Sequence, residues 1–137
     1  MSRILIDTSA YGAHLRDHPE VKAAIQRASE VCLSVVSIGE LRAGFLKGGR
    51  TRTNEELLRR FLASPRARTL SVDEETAVRY AAIQDYLRKQ GTPIPVNDMW
   101  IAATAAQHGL RLLTLDDHFL RVPQVIVDLV KAAPSAR

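Results

Sequence analysis

Apolar residues in this chain follow two repeats. Ile4-Leu5-Ile6, Val31 to Val36, Leu112 to Leu115 and Val125-Ile126-Val127 are short apolar runs closed by polar or small residues, and Thr69-Leu70-Ser71-Val72 is a more polar fifth. Such runs, bounded by turn residues, predict strands. Between them apolar side chains return every three or four residues, the repeat of a helix with one buried face. Val21, Ala24, Ile25 and Ala28 do so after Pro19, Ile38, Leu41 and Phe45 after a capping Ser37, and Val78, Ala81, Ala82 and Leu87 after the start signal Asp73/Thr76. Further helices are expected from about Ser9 to Asp17 and from Asn54 to Ala63, where Ser64-Pro65 ends the pattern. From Asp98 to His108 the sequence is apolar nearly all round, which predicts an interior helix. Gly109 stops it as Gly91 stops the helix before, and Pro93-Ile94-Pro95 forms an extended connector. Strands alternating with helices predict an α/β domain: a mostly parallel central sheet of four to five strands, flanked by helices.

The 137 residues, 46% apolar and 25% charged, suit one such domain with its own core. It is expected to span residues 1–131, leaving 132–137 as a flexible tail. No run approaches the roughly 18–20 apolar residues of a membrane-spanning helix, and the chain enters its first strand without a secretory leader pattern, so a cytoplasmic protein is expected. The single cysteine, Cys32, has no partner for an intrachain disulfide and sits where a small core side chain is needed. A net charge of +4 gives a mild bias toward polyanions, while 5% aromatic residues argue against a single-strand binder built on stacked bases. Phosphate-binding glycine loops and a serine-nucleophile elbow are absent from the sequence.

Candidate chemistry lies in the acids at element ends. Asp7 closes the first strand, Glu40 lies one turn into the helix after the second, Asp98 opens the interior helix, and Asp116 follows Leu112 to Leu115. In a parallel α/β sheet, ligands bind outside the carboxyl ends of the strands, where the strand order reverses, and four acids from four separate segments can converge on that end. Two carboxylates about 4 Å apart repel by roughly 4 kcal/mol at an effective dielectric near 20, so a shared site calls for a cation. Oxygen ligands without a matching Cys or His set point to Mg²⁺ or Mn²⁺, whose chemistry on phosphate oxygens is in-line displacement by water. The bland alternative is that each Asp is a helix cap or turn residue and Glu40 is solvated. Spacing does not decide between them.

The words around the acids carry a resemblance. Ile4-Leu5-Ile6-Asp7-Thr8-Ser9-Ala10, Ser34 to Gly44, Gly91 to Ala105 and Leu113-Thr114-Leu115-Asp116-Asp117-His118-Phe119 resemble, in order, the four motifs of PIN-domain nucleases of the VapC toxin type. The resemblance implies a metal-dependent endoribonuclease acting as the toxin of a toxin–antitoxin pair, a homodimer silenced by a cognate antitoxin, with tRNA or ribosomal RNA as substrate. It implies that Asp7, Glu40, Asp98 and Asp116 are the catalytic acids and metal ligands and that Thr8 and Thr114 support them by hydrogen bonds. Asp117 stands where many relatives carry a basic residue, either weakening phosphate contact or serving as a substitute ligand. Two rivals remain: a non-catalytic PIN-fold module that binds RNA or protein, and a Mg²⁺-binding phospho-acceptor domain, which would need an acid pair where this chain has Asp7-Thr8-Ser9.

Arg42, Lys47, Arg50 and Arg52 follow Glu40 and are candidates for RNA-backbone contact, with a solvated helix end as the alternative. His14 and His18 share a helical spacing, but Pro19 disfavours helix at His18, and both are read as surface or helix-end residues. His108 is read as a helix-terminal residue and His118 as a turn residue.

Overall fold

The computed structural model describes residues 2–133. Its elements run β1 (Arg3–Ile6), α1 (Thr8–Leu15), α2 (Pro19–Arg27), β2 (Glu30–Ser34), α3 (Val35–Lys47), α4 (Thr51–Leu62), β3 (Ala67–Leu70), α5 (Glu74–Gln90), α6 (Val96–His108), β4 (Arg111–Thr114), a 3-10 turn (Asp117–Arg121) and β5 (Val127–Leu129). The five strands form one sheet in the order β3-β2-β1-β4-β5, and every pairing is parallel. The chain moves outward from β1 through β2 to β3, then returns to place β4 on the other side of β1. The order therefore reverses between β1 and β4, where the carboxyl ends of the two strands open a crevice.

Alternation along the strands builds two apolar layers. Ile4, Ile6, Val31, Leu33 and Leu113 pack on one face with residues of α1 to α4, including Tyr11, Ile25, Phe45 and Leu58. Leu5, Cys32 and Leu112 pack on the other with Ile83, Leu87, Ile101 and Phe119 from α5, α6 and the 3-10 turn. Strands buried on both faces explain why their sequences read as unbroken apolar runs. Cys32 is a core residue as expected, and burial pushes its thiol further up.

Several boundaries differ from the sequence expectation. Val35 and Val36 belong to α3, not to β2, because Ser34 Oγ accepts the Val36 amide at 3.1 Å and caps the helix in place of Ser37, which is fully buried. β3 starts two residues earlier than expected, since Val31 to Ser34 of β2 pair with Ala67 to Leu70, and Asp73 is needed for the capping box of α5. β5 is displaced the other way by its pairing with Leu112 to Thr114. α4 begins at Thr51 instead of Asn54. Gly91 and Gly109 end α5 and α6 in the left-handed region, at φ 70° and 63°, where a side chain is disfavoured. α6 is interior over Met99 and Ile101 to Ala105, but Trp100 reaches the surface and stacks on Tyr80 with ring centroids 4.0 Å apart. Of the expected tail over 132–137, residues 134–137 lie outside the described residues. Among the described residues no helix is long and apolar enough to cross a membrane.

Candidate active site

The crevice between β1 and β4 holds a hydrogen-bonded frame around Asp7. This residue caps α1, with Oδ1 accepting the Ala10 amide at 2.9 Å and the Ser9 hydroxyl at 2.8 Å. Oδ2 accepts the Thr114 hydroxyl at 2.7 Å. Thr114 Oγ1 in turn accepts the Asp116 amide at 2.9 Å, and Ser9 Oγ accepts the Leu115 amide at 3.0 Å. Two hydroxyls thus join the end of β1 to the turn after β4. Burial pushes the Asp7 carboxyl up; the bonds from Ala10, Thr114 and Ser9 pull it down, and Asp116 pushes it up further. Thr114 is fully buried, so Thr114→Val keeps the shape while leaving the Asp116 amide without its partner and Asp7 Oδ2 with only the Ser9 hydroxyl at 3.0 Å. We expect a loss of about 1–3 kcal/mol in urea unfolding, the cost of buried polar groups left unmatched. An unchanged midpoint would deny the hydroxyl this role.

Glu40 lies in the second turn of α3, and its carboxylate points at α1 and α6. Oε1 accepts the Thr8 hydroxyl at 2.5 Å and Oε2 the Asn97 amide at 3.1 Å. The structure therefore gives Thr8 a carboxylate to support, and that carboxylate is Glu40. Asp98 is the third residue of α6, since Pro95 opens the helix after the extended Pro93-Ile94-Pro95 segment. It makes no side-chain cap bond, so the cap reading fails for Asp98, whereas Asp7 and Asp116 do cap α1 and the 3-10 turn. The Asp98 carboxyl is pushed up to about 6, first by burial and then by the charges of Asp116, Asp7 and Glu40, with His118 acting in the opposite sense.

One oxygen each from Asp98 and Asp116 and one nitrogen of His118 lie within 4.8 Å of one another, close enough to hold a single cation. Asp7 and Glu40 stand around this group with hydrogen bonds on both of their oxygens. Asp117 is exposed and outside the group; it lines a shallow cleft beside Asp116 with Ser9 and Lys131. Asp116 is thus the acid that faces the centre.

Two neighbours of the acids, Ser9 and Asn97, have no role in the sequence analysis, and a third, His118, is read there only as the turn residue it also proves to be. Ser9 stands two residues after Asp7, Asn97 immediately before Asp98, and His118 two residues after Asp116. Each has a side chain able to reach back to a neighbouring acid, and that short spacing is the signal that was available. The pairing of His14 with His18 is absent: His18 caps α2 through Nδ1, which accepts the Val21 amide, and its Nε2 meets the Lys131 carbonyl at 2.8 Å. Of the basic residues, Arg42 is tied to Glu55 at 2.8 Å, while Lys47, Arg50 and Arg52 are exposed. Arg52 lines a cleft with Thr51, Glu55, Glu56 and Arg59 that contains none of the four acids.

Comparison with known proteins identifies the family. Residues 4–125 match the family model of the PIN domain. Ribonuclease VapC4 of Mycobacterium tuberculosis is 36% identical over 69% of this chain and 73% of its own. Toxin FitB of Neisseria gonorrhoeae is 35% identical over 82% of this chain and 87% of its own. VapBC-5 of Mycobacterium tuberculosis, solved as a member of the VapBC family of toxin-antitoxin systems, superposes with a TM-score of 0.73 at 27% identity, covering 96% of this chain and all of its counterpart. Motif order, the parallel sheet with its acids at the β1/β4 crevice, and the extent of these matches lead to one assignment: the chain belongs to the PIN-domain family and, within it, to the VapC-type toxins.

Proposed function

We propose that this protein is a metal-dependent endoribonuclease, the toxin of a toxin–antitoxin pair, which hydrolyses RNA phosphodiester bonds with Mg²⁺ or Mn²⁺. One observation carries the reading: Asp98 lies within electrostatic reach of Asp116, Asp7 and Glu40, four acids from four segments, and its carboxyl is pushed up to about 6, first by burial and then by those charges. Like charges brought together raise one another's pKa, and a cation bound among them relieves that repulsion. The donor set fits a hard divalent ion, with Asp98 and Asp116 as direct ligands and Asp7 beside them. Such an ion, when bound, polarises a phosphate oxygen and lowers the pKa of water.

The chain's own groups supply the rest. Glu40, with one donor on each oxygen, keeps a free lone pair on each and is placed to orient a water and accept its proton. Thr8 and Asn97 fix that carboxylate, as Thr114 and Ser9 fix Asp7. Attack by water is direct, with no covalent enzyme intermediate. The names of the relatives, ribonucleases and toxins, support RNA as substrate, and the toxin-antitoxin neighbour supports a cognate antitoxin as partner. A homodimer and a cytoplasmic location belong to the same reading.

Incubation of a mixed tRNA and ribosomal RNA pool with purified, antitoxin-free protein tests it. Cutting is expected with Mg²⁺ or Mn²⁺ and none with chelator; cutting that persists in chelator would remove the metal from the reading. Lys47, Arg50 and Arg52 are proposed to contact the RNA backbone, together with Arg42 where Glu55 releases it. Reversing the charge at Arg50 and Arg52 is then expected to raise KM for RNA several-fold at low salt with little change in kcat. An unchanged KM would return these residues to the solvated surface.

A further inference from the structure

We propose that His118 is a nitrogen ligand of the metal, so that the centre is a mixed carboxylate–imidazole site that favours Mn²⁺ over Mg²⁺; this rests on the metal-dependent reading above. Its Nδ1 lies 2.9 Å from Asp116 Oδ1 and 3.9 Å from an oxygen of Asp98. Despite the first distance, the two atoms are not aligned as a hydrogen bond, and Nδ1 is shut off from solvent with no hydrogen-bond partner. Asp116 Oδ1 already accepts the amide of His118 itself at 2.9 Å, which clamps the 3-10 turn and sets the imidazole against the carboxylate.

Facing two carboxylates with no aligned hydrogen bond, this nitrogen is matched either by its own proton, as an ion pair with Asp116, or by a cation standing between them. The dimensions suit a cation. Neighbouring ligands of an octahedral ion with bonds near 2.1 Å sit about 3 Å apart, and the Asp116 to His118 pair is at that separation. The Asp-x-His spacing places both donors on one tight turn that the Phe119 side chain, fully buried, anchors to the core. Mg²⁺ binds oxygen and keeps its water, whereas an imidazole raises affinity for Mn²⁺ and the later first-row ions. This donor therefore sets which ion the centre selects.

Pulsed electron paramagnetic resonance of the full-length protein loaded with Mn²⁺ reads the ligand directly. The expected result is a nitrogen-14 coupling from one directly bound imidazole, lost in His118→Gln and retained in His108→Gln at the far end of α6. Calorimetry with Mn²⁺ and Mg²⁺ alone should show His118→Gln weakening Mn²⁺ roughly tenfold and Mg²⁺ much less. A Mn²⁺ signal abolished by Asp98→Asn but free of nitrogen coupling overturns the histidine ligand and leaves the acidic centre intact. No Mn²⁺ binding at all overturns both. Circular dichroism of His118→Gln, expected to match the parent, separates loss of a ligand from loss of fold.

Discussion

Asp98→Asn is expected to lower kcat for RNA cleavage by about 10³-fold or more, roughly 4 kcal/mol of transition-state stabilisation, while the protein stays folded. The side chain keeps its size and its place in the first turn of α6 and loses only the charge that the other three acids surround. Metal binding should fall with it, because Asp98 contributes one of the three donors within reach of a single cation. The diagnostic feature is that activity and stability move in opposite directions. A carboxylate held near 6 in the folded chain, against an ordinary value of 3.8, is a charge the fold resists. Neutralising it should make the metal-free protein more stable above pH 6 by about 1–2 kcal/mol, once solvent screening at a half-buried group is allowed for. Parallel cleavage assays and urea unfolding of parent and variant check both halves. Full activity in Asp98→Asn would remove the site from this crevice.

Metal and protons should compete for the folded state. Asp98 is raised, so the folded chain binds its proton more tightly than the unfolded one, and stability falls as pH rises between about 4 and 6. Below 4 the residue is protonated in both states; above 6 it is ionised in both and the full cost is present. The melting temperature of Asp98→Asn minus that of the parent should therefore be near zero at pH 4 and grow to a plateau above pH 6, in chelator. A divalent ion reverses the sign, since at one hundred times its dissociation constant it stabilises by about 2.7 kcal/mol. For a domain of this size that is roughly 10 °C of melting temperature at pH 7.5. The gain should vanish on chelation, fade as pH drops below 6, and be absent from Asp98→Asn. A melting temperature indifferent to Mg²⁺ and Mn²⁺ at millimolar concentration would contradict the centre as assigned.

How much of this was legible beforehand follows from what each signal measures. The parallel sheet was visible because strands buried on both faces, such as Leu5 beside Ile4 and Ile6, leave unbroken apolar runs. Helix ends that rest on local chemistry were visible too, as at Gly91, Gly109 and the Asp73/Thr76 capping box. Ends that depend on a partner strand were not, as at β3, which starts at Ala67 because β2 pairs with it there, and the cap at Ser34 was hidden behind the strand-forming side chains of Val35 and Val36. The acids could be named in advance but not assembled. A cap and a ligand look alike in sequence, and Asp7 fills the first role without being barred from the second. His118 was passed over because its importance lies in an atom without a hydrogen-bond partner, a property of three-dimensional packing that no residue pattern records.

The two hydroxyl links between β1 and the turn after β4 also bear on timing during synthesis. Thr114 reaches Asp7 across 107 positions, and Leu115 reaches Ser9 across 106. Chains are made and begin to fold from the N-terminal end, and contacts this remote in sequence close last. While a ribosome is still adding β4, Glu40 can already meet Thr8 and Asn97, but Asp116 and the Thr114 hydroxyl that frames Asp7 have yet to be made. A potential RNA-cutting centre is thereby withheld from the ribosome that is producing it until the last fifth of the chain has been delivered.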